Sequence, residues 1–510
     1  MGSKVKLGNL LSLLTDYHAN GAYKKLKENV ELFDEPDYAV MIRTTNFEQN
    51  NFDSNLKYIS EHAYNFLEKS KVKAGDIIMN KIANAGSSYL MPDLNCPVSL
   101  AMNLFLLRID EDKANSTFVY LYLKLNEDYV KSFANGSVTK TITKEAVRNL
   151  EIELPERSMQ DYIVKVYMDY VSKLTLNQKT NQTLEQMAQA LFKSWFVDFD
   201  PVFDNLLASV DFNLDNLETS LPDELILKAQ RRLATLNSLE NAAQYKASLS
   251  ALAHELQAQL PTKEAPQATV SAAETPVKAN LNGNPKILVQ HANTHAHFPN
   301  EFEHNEQLGW IPKGWEVKPL DEIAKYQNGL ALQKFRPELG EESLPVLKIA
   351  QLRAGFTDGK ELAKASIKQS CIVDDGDVVF SWSGSLLVDT WCGGKAALNQ
   401  HLFKVTSEEF PKWFYYQYTL FHLKQFQKIA ADKAVTMGHI KREHLSQAMC
   451  VIPKDESMML GGKITSLIDQ SIRVRIQNKT LTKLRDTLLP KLISGELQIP
   501  DVATDEEVVD

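Results

Sequence analysis

Hydrophobic and polar positions follow a pattern along this chain that occurs twice, about 300 residues apart. Short apolar runs typical of buried strands appear in the same order in both halves, and one run in each half follows a Gly-Asp turn. The runs are AVMIRTTNF (39–47), VKAGDIIMNK (72–81) and NLFLLRI (103–109), then PVLKIAQL (345–352), VDDGDVVFSW (373–382) and QHLFKV (400–405). We therefore predict two copies of one α+β unit.

The same order of features continues after the strands. An aromatic, helix-like stretch follows in each copy, at 118–133 and at 413–429. Each copy then closes on a related segment of the form VT…I…L…P, at 137–155 and 434–453. Few residues are identical, but the order and the spacing are kept, which indicates an internal duplication.

A long helical segment ends each copy, at about 158–196 and 457–495, and the two segments match at an offset of 300. Apolar residues recur at alternating spacings of four and three, as in a coiled coil, and the same repeat places the polar Asn177, Asn181 and Gln477 in the middle of the pair. A helix of about 38 residues is about 57 Å long, so such a pair could act as a rigid spacer. The alternative is two amphipathic helices, each packed on its own unit. The candidate residues of the helix pair are Leu174, Asn181, Leu184, Leu191, Val474, Leu481, Leu484 and Leu488.

The segment between the copies, 198–309, differs in composition. It contains a predicted helical stretch at 222–260 and a Pro-, Ala- and Thr-rich stretch at 261–285 that is typical of a flexible linker. Four histidines follow, at 291, 295, 297 and 304. Without fixed spacing or a nearby cysteine, we interpret them as part of a solvated polar loop rather than a metal site.

The net charge of −9 is unevenly distributed. Residues 1–157 hold 19 basic and 21 acidic side chains, and residues 310–454 hold 19 and 16. Residues 196–309 hold 7 basic and 15 acidic side chains, and the tail adds five acids. The acidity therefore belongs to the middle segment and the tail, so each repeated unit could present a basic face.

Targeting and redox signals are weak. No apolar run of eighteen residues predicts a membrane span, and residues 1–20 lack the features of a signal peptide. The four cysteines form no CxxC pair, which argues against a disulfide framework and a zinc site. We expect a protein of the reducing cytoplasm.

The usual catalytic motifs are missing. The chain contains no Walker A motif, no GxGxxG after a strand, no HExxH, and no Asn/Asp-Pro-Pro-aromatic motif of amino-methyltransferases. The stretch DGKELAK (358–364) matches nuclease signatures only as loosely as chance allows. We predict a binding protein without a catalytic or metal site.

Side chains suited to DNA occur at matched places in the two copies. Arginine, asparagine and glutamine can make bidentate contacts with base edges, and lysine and arginine neutralise phosphates. For any single residue, a solvated surface position is the more common explanation. The candidates are Arg43, Asn46, Lys81, Lys140, Lys144, Arg148, Lys348, Gln351, Arg353, Lys395, Lys441 and Arg442. In order along the chain, the repeat pairs Lys140, Thr141, Lys144 and Arg148 with Met437, His439, Lys441 and Arg442.

Three long segments resemble one protein family. NQTLEQMAQALFKSWFVDFDPV (181–202) is similar to the central conserved region of type I restriction–modification specificity subunits. IRVRIQNKTLTKLRDTLLPKLISGEL (472–497) resembles their C-terminal conserved region, and LGWIPKGWEVKPLDEIA (308–324) resembles the opening of their second target recognition domain.

The resemblance implies a specific organisation. Target recognition domains would occupy 1–157 and 310–456, and conserved helices 158–197 and 457–497 would pack antiparallel between them. An acidic connector at 198–309 and an acidic tail at 498–510 complete the chain. Each domain would read half of a split site in double-stranded DNA. Two methyltransferase subunits and the restriction/translocase subunits would assemble on this chain, and those partners would bind S-adenosylmethionine, ATP and Mg²⁺.

Two other functions stay open at this point. A duplicated protein–protein adaptor, with no direct contact to bases, agrees with the acidic net charge. A standalone nuclease or methylase would need catalytic motifs that the sequence does not show.

Overall fold

The computed structural model describes residues 3–136, 139–217, 221–258, 294–432 and 438–497, without the side chains of 255–258, 455 and 456. The chain divides into two compact units. Unit 1 comprises Met1–Thr175 and Thr480–Asp510, and unit 2 comprises Leu176–Lys479. We call residues 3–154 of unit 1 the first head and residues 302–452 of unit 2 the second head. No helix in the described ranges is both long and apolar enough to cross a membrane.

The first head contains two four-stranded sheets and a separate strand pair. Its strands are β1 (Ser3–Lys6), β2 (Leu11–Asp16), β3 (Ala39–Ile42), β4 (Tyr58–Ile59), β5 (Lys71–Val72), β6 (Ile77–Asn80), β7 (Ser88–Leu90), β8 (Val98–Leu100), β9 (Leu104–Ile109) and β10 (Glu151–Leu154). The antiparallel sheet has the order β2-β9-β6-β7, the mixed sheet has the order β4-β3-β8-β5, and β1 pairs with β10.

Short helices connect these strands, and one longer helix covers the antiparallel sheet. The helices are α1 (Leu7–Leu10), α2 (Tyr23–Asn29), α3 (Thr44–Glu48), α4 (Glu61–Phe66), α5 (Ser116–Leu125), α6 (Glu127–Ser132) and α7 (Lys144–Arg148). The Asn115 side chain caps α5 by accepting from the backbone N–H of Thr117 and Phe118. The buried side of α5 then packs against β6 and β9 in one apolar core.

Burial on both faces explains why the sequence of strand β9 is a continuous apolar run. Phe105 and Leu107 belong to the core under α5, whereas Leu104 and Leu106 belong to the core toward the mixed sheet. Successive side chains of a strand point to opposite faces, so a strand that is buried on both faces has no polar alternation.

The second head repeats this architecture. Its strands are β11 (Phe302–Asn305), β12 (Gly309–Pro312), β13 (Glu316–Pro319), β14 (Lys325–Asn328), β15 (Ser343–Leu347), β16 (Leu362–Lys364), β17 (Ile372–Val373), β18 (Val378–Ser381), β19 (Leu387–Thr390), β20 (Ala396–Leu398), β21 (Leu402–Thr406) and β22 (Met449–Ile452). The antiparallel sheet has the order β14-β21-β18-β19 and the mixed sheet the order β16-β15-β20-β17. The pair β13-β22 corresponds to β1-β10, and β11-β12 is an added hairpin. The predicted duplication is therefore confirmed strand by strand.

The Gly-Asp turns are equivalent in detail. Gly75 and Gly376 have φ angles of +83° and +87°, in the left-handed region that favours glycine. The Asp76 and Asp377 carboxylates each accept a backbone N–H from three residues earlier, at 2.7 Å. A cation on the central strand then pairs with each carboxylate, Arg108 on β9 and Lys404 on β21.

The remaining helices all contribute residues to unit 2. They are α8 (Arg157–Phe196), α9 (Asp200–Ala208), α10 (Asp223–Asn237), α11 (Ala242–Ala258), α12 (Leu320–Ile323), α13 (Ile349–Ala354), α14 (Lys412–Asp432), α15 (Arg442–Ser446), α16 (Asp455–Met459) and α17 (Gly462–Ile493). Helices α8 and α17 also contribute residues to unit 1. The predicted segment 457–495 is broken between α16 and α17. The Trp413 ring packs so closely on Gly461, in the break, that a Cβ atom there would lie 2.0 Å from it.

The two long helices run antiparallel where they meet in unit 2. Asn177 Nδ2 donates to Gln477 Oε1 at 3.2 Å and to Asn478 Oδ1 at 2.8 Å. Ser471 Oγ donates to Glu185 Oε1 at 3.3 Å, so increasing numbers on α8 meet decreasing numbers on α17. Two of the predicted polar positions, Asn177 and Gln477, therefore pair with one another across the helices, which favours one register over slipped alternatives. The third, Asn181, donates to Glu185 of its own helix instead.

Most predicted residues of the helix pair are at least partly buried. Val474 is buried, and half-buried positions are taken by Leu174, Asn181, Leu184, Leu191, Leu481 and Leu488. The prediction for Leu484 is wrong, because its side chain is 43 % exposed. At 100° per residue, Leu484 lies about 140° around α17 from the buried Leu489. Arg485, four residues before Leu489, is half-buried instead, because the inward side of α17 is set by the rotation of the helix against its partners and not by the heptad spacing alone.

The described part of the connector (198–309) forms helices that pack against the second head. Its predicted helical stretch forms two helices, α10 and α11, which pack with α9 into the core of the second head. The fully buried Asp204 accepts two hydrogen bonds from Arg232, at 2.7 and 2.8 Å, and lies 3.0 Å from His295. The interpretation of His295 as a solvated loop residue is therefore wrong, because it is 4 % exposed. The predicted linker at 261–285 lies outside the described residues.

Which side of α17 faces inward can be tested with two leucines of that helix. Leu489→Ala removes a side chain from the core of unit 1 and should lower the free energy of unfolding by about 2–5 kcal/mol. Leu484→Ala, the matched control, should change it by less than about 0.5 kcal/mol. Denaturant unfolding of both variants measures this, and equal losses would contradict the observed register.

Candidate nucleic-acid interface

One end of the antiparallel sheet in the first head gathers charged side chains. Asp16 ends β2, Lys81 follows β6, and Lys144 begins α7. The Asp16 carboxylate binds both lysines, with Lys81 Nζ at 2.9 Å and Lys144 Nζ at 2.8 Å. The structure thus brings together two of the predicted DNA-binding residues around a carboxylate that the sequence analysis did not single out.

The electrostatics of this cluster favour the charged forms. Burial alone would raise the pKa of Asp16, but the hydrogen bonds and charges of Lys144 and Lys81 outweigh it, and the pKa lies below its ordinary value. Both lysine side chains remain about a third exposed, at 29 % and 33 %. Two cations around one anion leave this edge with a net positive charge and outer faces open to a phosphate.

The equivalent edge of the second head has different chemistry. The strand register equates Asp16, opposite Phe105, with Asn328, opposite Phe403. Trp382 takes the place of Lys81, because each donates its backbone N–H to the chain just before the central strand. An indole and an amide therefore replace a lysine and an aspartate on the same scaffold.

Arg442 supplies the cation at this second edge. It begins α15, as Lys144 begins α7. Its guanidinium lies 5.6 Å from the centre of the Phe403 ring and donates to the Tyr326 carbonyl at 3.2 Å. Lys81 Nζ lies 5.5 Å from the equivalent Phe105 ring, so a cation is held over the same aromatic residue in both heads.

The sequence-based alignment of the segments that begin α7 and α15 is shifted by one residue. It equated Lys144 with Lys441, whereas Lys441 precedes α15 and corresponds to Thr143. Lys441 is exposed and lies 3.4 Å from Glu443. Gaps in the alignment caused the shift, because only the start of each helix fixes the register. Met437, which was paired with Lys140, lies outside the described residues.

A second pair of candidate sites follows the inner strand β3 of the mixed sheet and its equivalent β15. Arg43 and Lys348 are equivalent residues at the starts of α3 and α13. Arg43 is half-buried and donates to the Asn55 carbonyl at 2.9 Å, while Lys348 pairs with Glu361. Their cationic groups therefore have protein partners on the head surface.

Asn46 and Gln351 occupy the third positions of these two helices. The prediction for Asn46 as a base reader is contradicted, because it is 4 % exposed and both ends of its amide bind backbone groups. A side chain that caps a helix in this way cannot also contact a base edge. Gln351 is half-buried, and its Oε1 atom is buried without a hydrogen bond.

The other predicted residues lie on the surface and are not drawn into either cluster. This group of exposed cations consists of Lys140, Arg148, Arg353 and Lys395. Exposure leaves them able to contact phosphates, and their role in DNA binding stays a prediction.

Sequence reasoning missed several side chains at these edges. The sequence analysis passed over Asp16 and Trp382, and also Gln400 and His401 before β21. The available signal was positional, because each residue flanks a strand that the repeat had already identified. His401 Nδ1 lies 2.9 Å from Ser383 Oγ, and its ring packs against Trp382.

These edges offer the chemistry of binding. They present cations, amides and aromatic faces, which contact phosphates, base edges and bases respectively. Among the described residues, no three histidine, cysteine, aspartate or glutamate side chains are placed to hold a metal ion. The arrangement suits recognition of a polyanion by two related surfaces.

Comparison with known proteins agrees with this duplication. The model of the type I restriction modification DNA specificity domain matches the chain twice, at residues 4–186 and 312–485. These two stretches make up more than half of the chain.

Two curated proteins are similar over most of their length. The type I restriction enzyme HindI specificity subunit of Haemophilus influenzae is 24% identical over 448 residues, covering 84% of this chain and 88% of that protein. The MjaIX specificity subunit of Methanocaldococcus jannaschii is 21% identical, covering 77% and 72%. Among solved structures, the type I restriction–modification S subunit of M. genitalium aligns over 96% of both chains, at 13% identity and a TM-score of 0.45.

The Asp16 cluster should make the stability of unit 1 depend on pH. Because the folded pKa of Asp16 lies below its ordinary value of about 3.9, its ionised form stabilises the fold above that pH. This contribution is lost as the pH falls through the lowered pKa. Asp16→Asn should therefore destabilise the chain at pH 7, and the difference from wild type should shrink below about pH 4.

Thermal unfolding between pH 7 and pH 3 measures this effect. Asp34→Asn is the matched control, because Asp34 also pairs with a lysine but is 82 % exposed. A pH-independent difference for Asp16→Asn would show that the carboxylate charge is not the stabilising feature.

Proposed function

Since this chain belongs to the type I restriction modification DNA specificity family, we propose that each of its two heads reads one half of a bipartite DNA site. As a specificity subunit it is the non-catalytic member of its enzyme. The observation that carries the proposal is the repeated antiparallel sheet, whose equivalent edges hold Lys81 with Lys144 in one head and Arg442 in the other. Two related but chemically different edges suit two different half-sites.

We assign phosphate contacts and base contacts to different side chains according to how far each is exposed. The lysines around Asp16 and the exposed Lys441 and Arg442 are placed to contact phosphates, which position a protein on DNA without reading its sequence. Base reading needs side chains that extend beyond the cations into a groove. In the second head, the exposed Gln400 is suited to this role through its amide. Trp382 offers the face of its ring for stacking, because its indole N–H donates to the Gln400 carbonyl at 3.2 Å.

The helix pair is proposed to serve assembly and spacing. Helices α8 and α17 contribute residues to both units, so a change of their length would be felt by both heads. Two methyltransferase subunits would dock on this chain, and restriction/translocase subunits would join them. S-adenosylmethionine, ATP and Mg²⁺ would be bound by those partners, and the assembly would act on double-stranded DNA in the cytoplasm.

Removal of the cations at the second edge tests the DNA contact. Lys441→Ala with Arg442→Ala should weaken binding of the assembled enzyme to random duplexes. The slope of log K against log salt should decrease by about 0.9 for each lost phosphate contact. Lys360→Ala, at a side chain 83 % exposed in the same head, is the matched control and should leave the slope unchanged. An unaltered slope in the double variant would remove this edge from the DNA interface.

The spacing role of the helices predicts a change in the recognised site. Seven residues inserted after Lys179 and after Lys479 lengthen both helices by about 10 Å. The spacer between the half-sites should then grow by about three base pairs, while the half-sites stay the same. Methylation mapping in cells that carry the system measures this, and insertion into α8 alone should abolish methylation by breaking the helix register. An unchanged spacer length would refute the proposal that the helix pair sets the distance between the half-sites.

A further inference from the structure

We propose that the three-residue connections before β9 and β21 carry base-reading side chains. In the first head, an apolar pocket beside Met102 takes the 5-methyl group of a thymine. In the second head, Gln400, at the equivalent position, reads a base through hydrogen bonds. This inference rests on the proposed function, because it names the residues that would make the two heads read different half-sites.

The pocket in the first head is small and open. Its volume is about 190 Å³, and its walls include Tyr17, Tyr23, Leu26, Lys27, Leu32 and Met102. Three of these side chains are unusually exposed for apolar residues: Tyr23 at 68 %, Leu32 at 49 % and Met102 at 50 %. An exposed apolar patch with a pocket at its centre marks a surface that binds something apolar.

The chain links this pocket directly to the proposed DNA edge. Tyr17 in the pocket wall follows Asp16, and Met102 precedes Asn103. The Asn103 carbonyl accepts the backbone N–H of Lys81 at 2.8 Å. Tyr17 and Met102 are thus each adjacent in sequence to a residue that binds Lys81. A strand of DNA that contacts Lys81 and Lys144 therefore passes next to the pocket.

Charge complementarity also favours a nucleic acid as the occupant. Helix α2, which forms one wall, has the sequence YKKLKEN and carries three exposed lysines, Lys24, Lys25 and Lys27. An apolar surface with lysines on one side fits a base edge next to a phosphate. The exposed Glu31 flanks Leu32 of the same pocket, so the phosphate would lie against α2 rather than around the whole patch. The thymine methyl group is the main apolar feature of the major groove, and apolar side chains recognise it there.

The second head has the same backbone but opposite chemistry at this point. Both connections are three residues long, 101–103 and 399–401. Ala101 and Asn399 each donate a backbone N–H to the end of the adjacent strand, at Ile42 and Leu347, so Met102 corresponds to Gln400. Gln400 is exposed and its amide lies 3.3 Å from His401 Nε2, which places hydrogen-bonding groups where the first head has a thioether.

The helix that encloses the pocket is also specific to the first head. Between β2 and β3 the first head inserts α2, whereas the corresponding segment of the second head, between β14 and β15, contains one short 3-10 helix, Leu332–Phe335. That helix buries Leu332 in a local core. The pocket is therefore an addition to the shared scaffold at the point where the two half-sites must be distinguished.

The first experiment maps methylated sites in cells that carry the wild-type, Met102→Gln or Gln400→Met chain in its complete enzyme. Met102→Gln should change or relax one position of one half-site, and Gln400→Met should change one position of the other half-site. Met459→Gln, at a methionine 81 % exposed on α16, is the matched control and should leave both half-sites unchanged. Variants that methylate the wild-type sequence with unchanged preference would overturn the inference.

The second experiment tests the methyl group itself. Once the half-site read by the first head is known, each thymine in it is replaced in turn by deoxyuridine, and binding of the assembled enzyme is measured. One replacement should weaken wild-type binding about fourfold, the effect of one buried methyl group. Met102→Ser should lose this discrimination, and Gln400→Met should keep it.

The outcomes separate the two levels of the proposal. A first half-site without thymine, or equal binding of thymine and deoxyuridine at every position, overturns the pocket assignment alone. Wild-type cells without a methylated bipartite site would overturn the proposed function as well. Thermal unfolding of each variant excludes misfolding as the cause, because Met102 and Gln400 are exposed and their replacement should not lower the melting temperature.

Discussion

The core of each head is completed by the end of the long helix that follows the other head. Helix α8 follows the first head, and its last turns place Phe192 and Phe196 in the core of the second head. Helix α17 follows the second head, and its last turns place Leu489 in the core of the first head. Neither head can bury its apolar surface fully without a segment that is distant in sequence, so folding of the heads and pairing of the helices are coupled.

This exchange explains why polar residues persist in the helix pair. Asn177 reaches Gln477 and Asn478, and Ser471 reaches Glu185, in a pair whose ends are fixed by large apolar side chains. Hydrogen bonds in the middle of the pair add little stability but penalise a slipped register.

Comparison of the two heads distinguishes the residues that maintain the fold from those that can differ for recognition. Strand order, the glycine at positive φ and the aspartate of the following turn are the same in both heads, because they hold the sheets together. At the adjacent edge, Lys81 becomes Trp382 and Met102 becomes Gln400. Side chains at strand ends project from the sheet without supporting its core, so they can change without loss of the fold.

The sequence by itself determined the repeat, the strands, the long helices and the family, because these features lie in local periodicity and in long conserved-looking segments. It also placed a polar seam at Asn177 and Gln477, since a period of 3.5 residues can be read from one chain. It misplaced Leu484, because the inward side of α17 depends on how the helix rotates against its partner. It treated His295 as solvated and Asn46 as a reader, because burial of a polar side chain depends on hydrogen-bond partners that the fold supplies. Only the tertiary structure brought Asp16 to Lys81 and Lys144 and set Met102 beside Tyr23. Asp16 and Lys144 are 128 positions apart in the chain, and Met102 lies in a loop between two strands, so periodicity in the sequence cannot predict either contact.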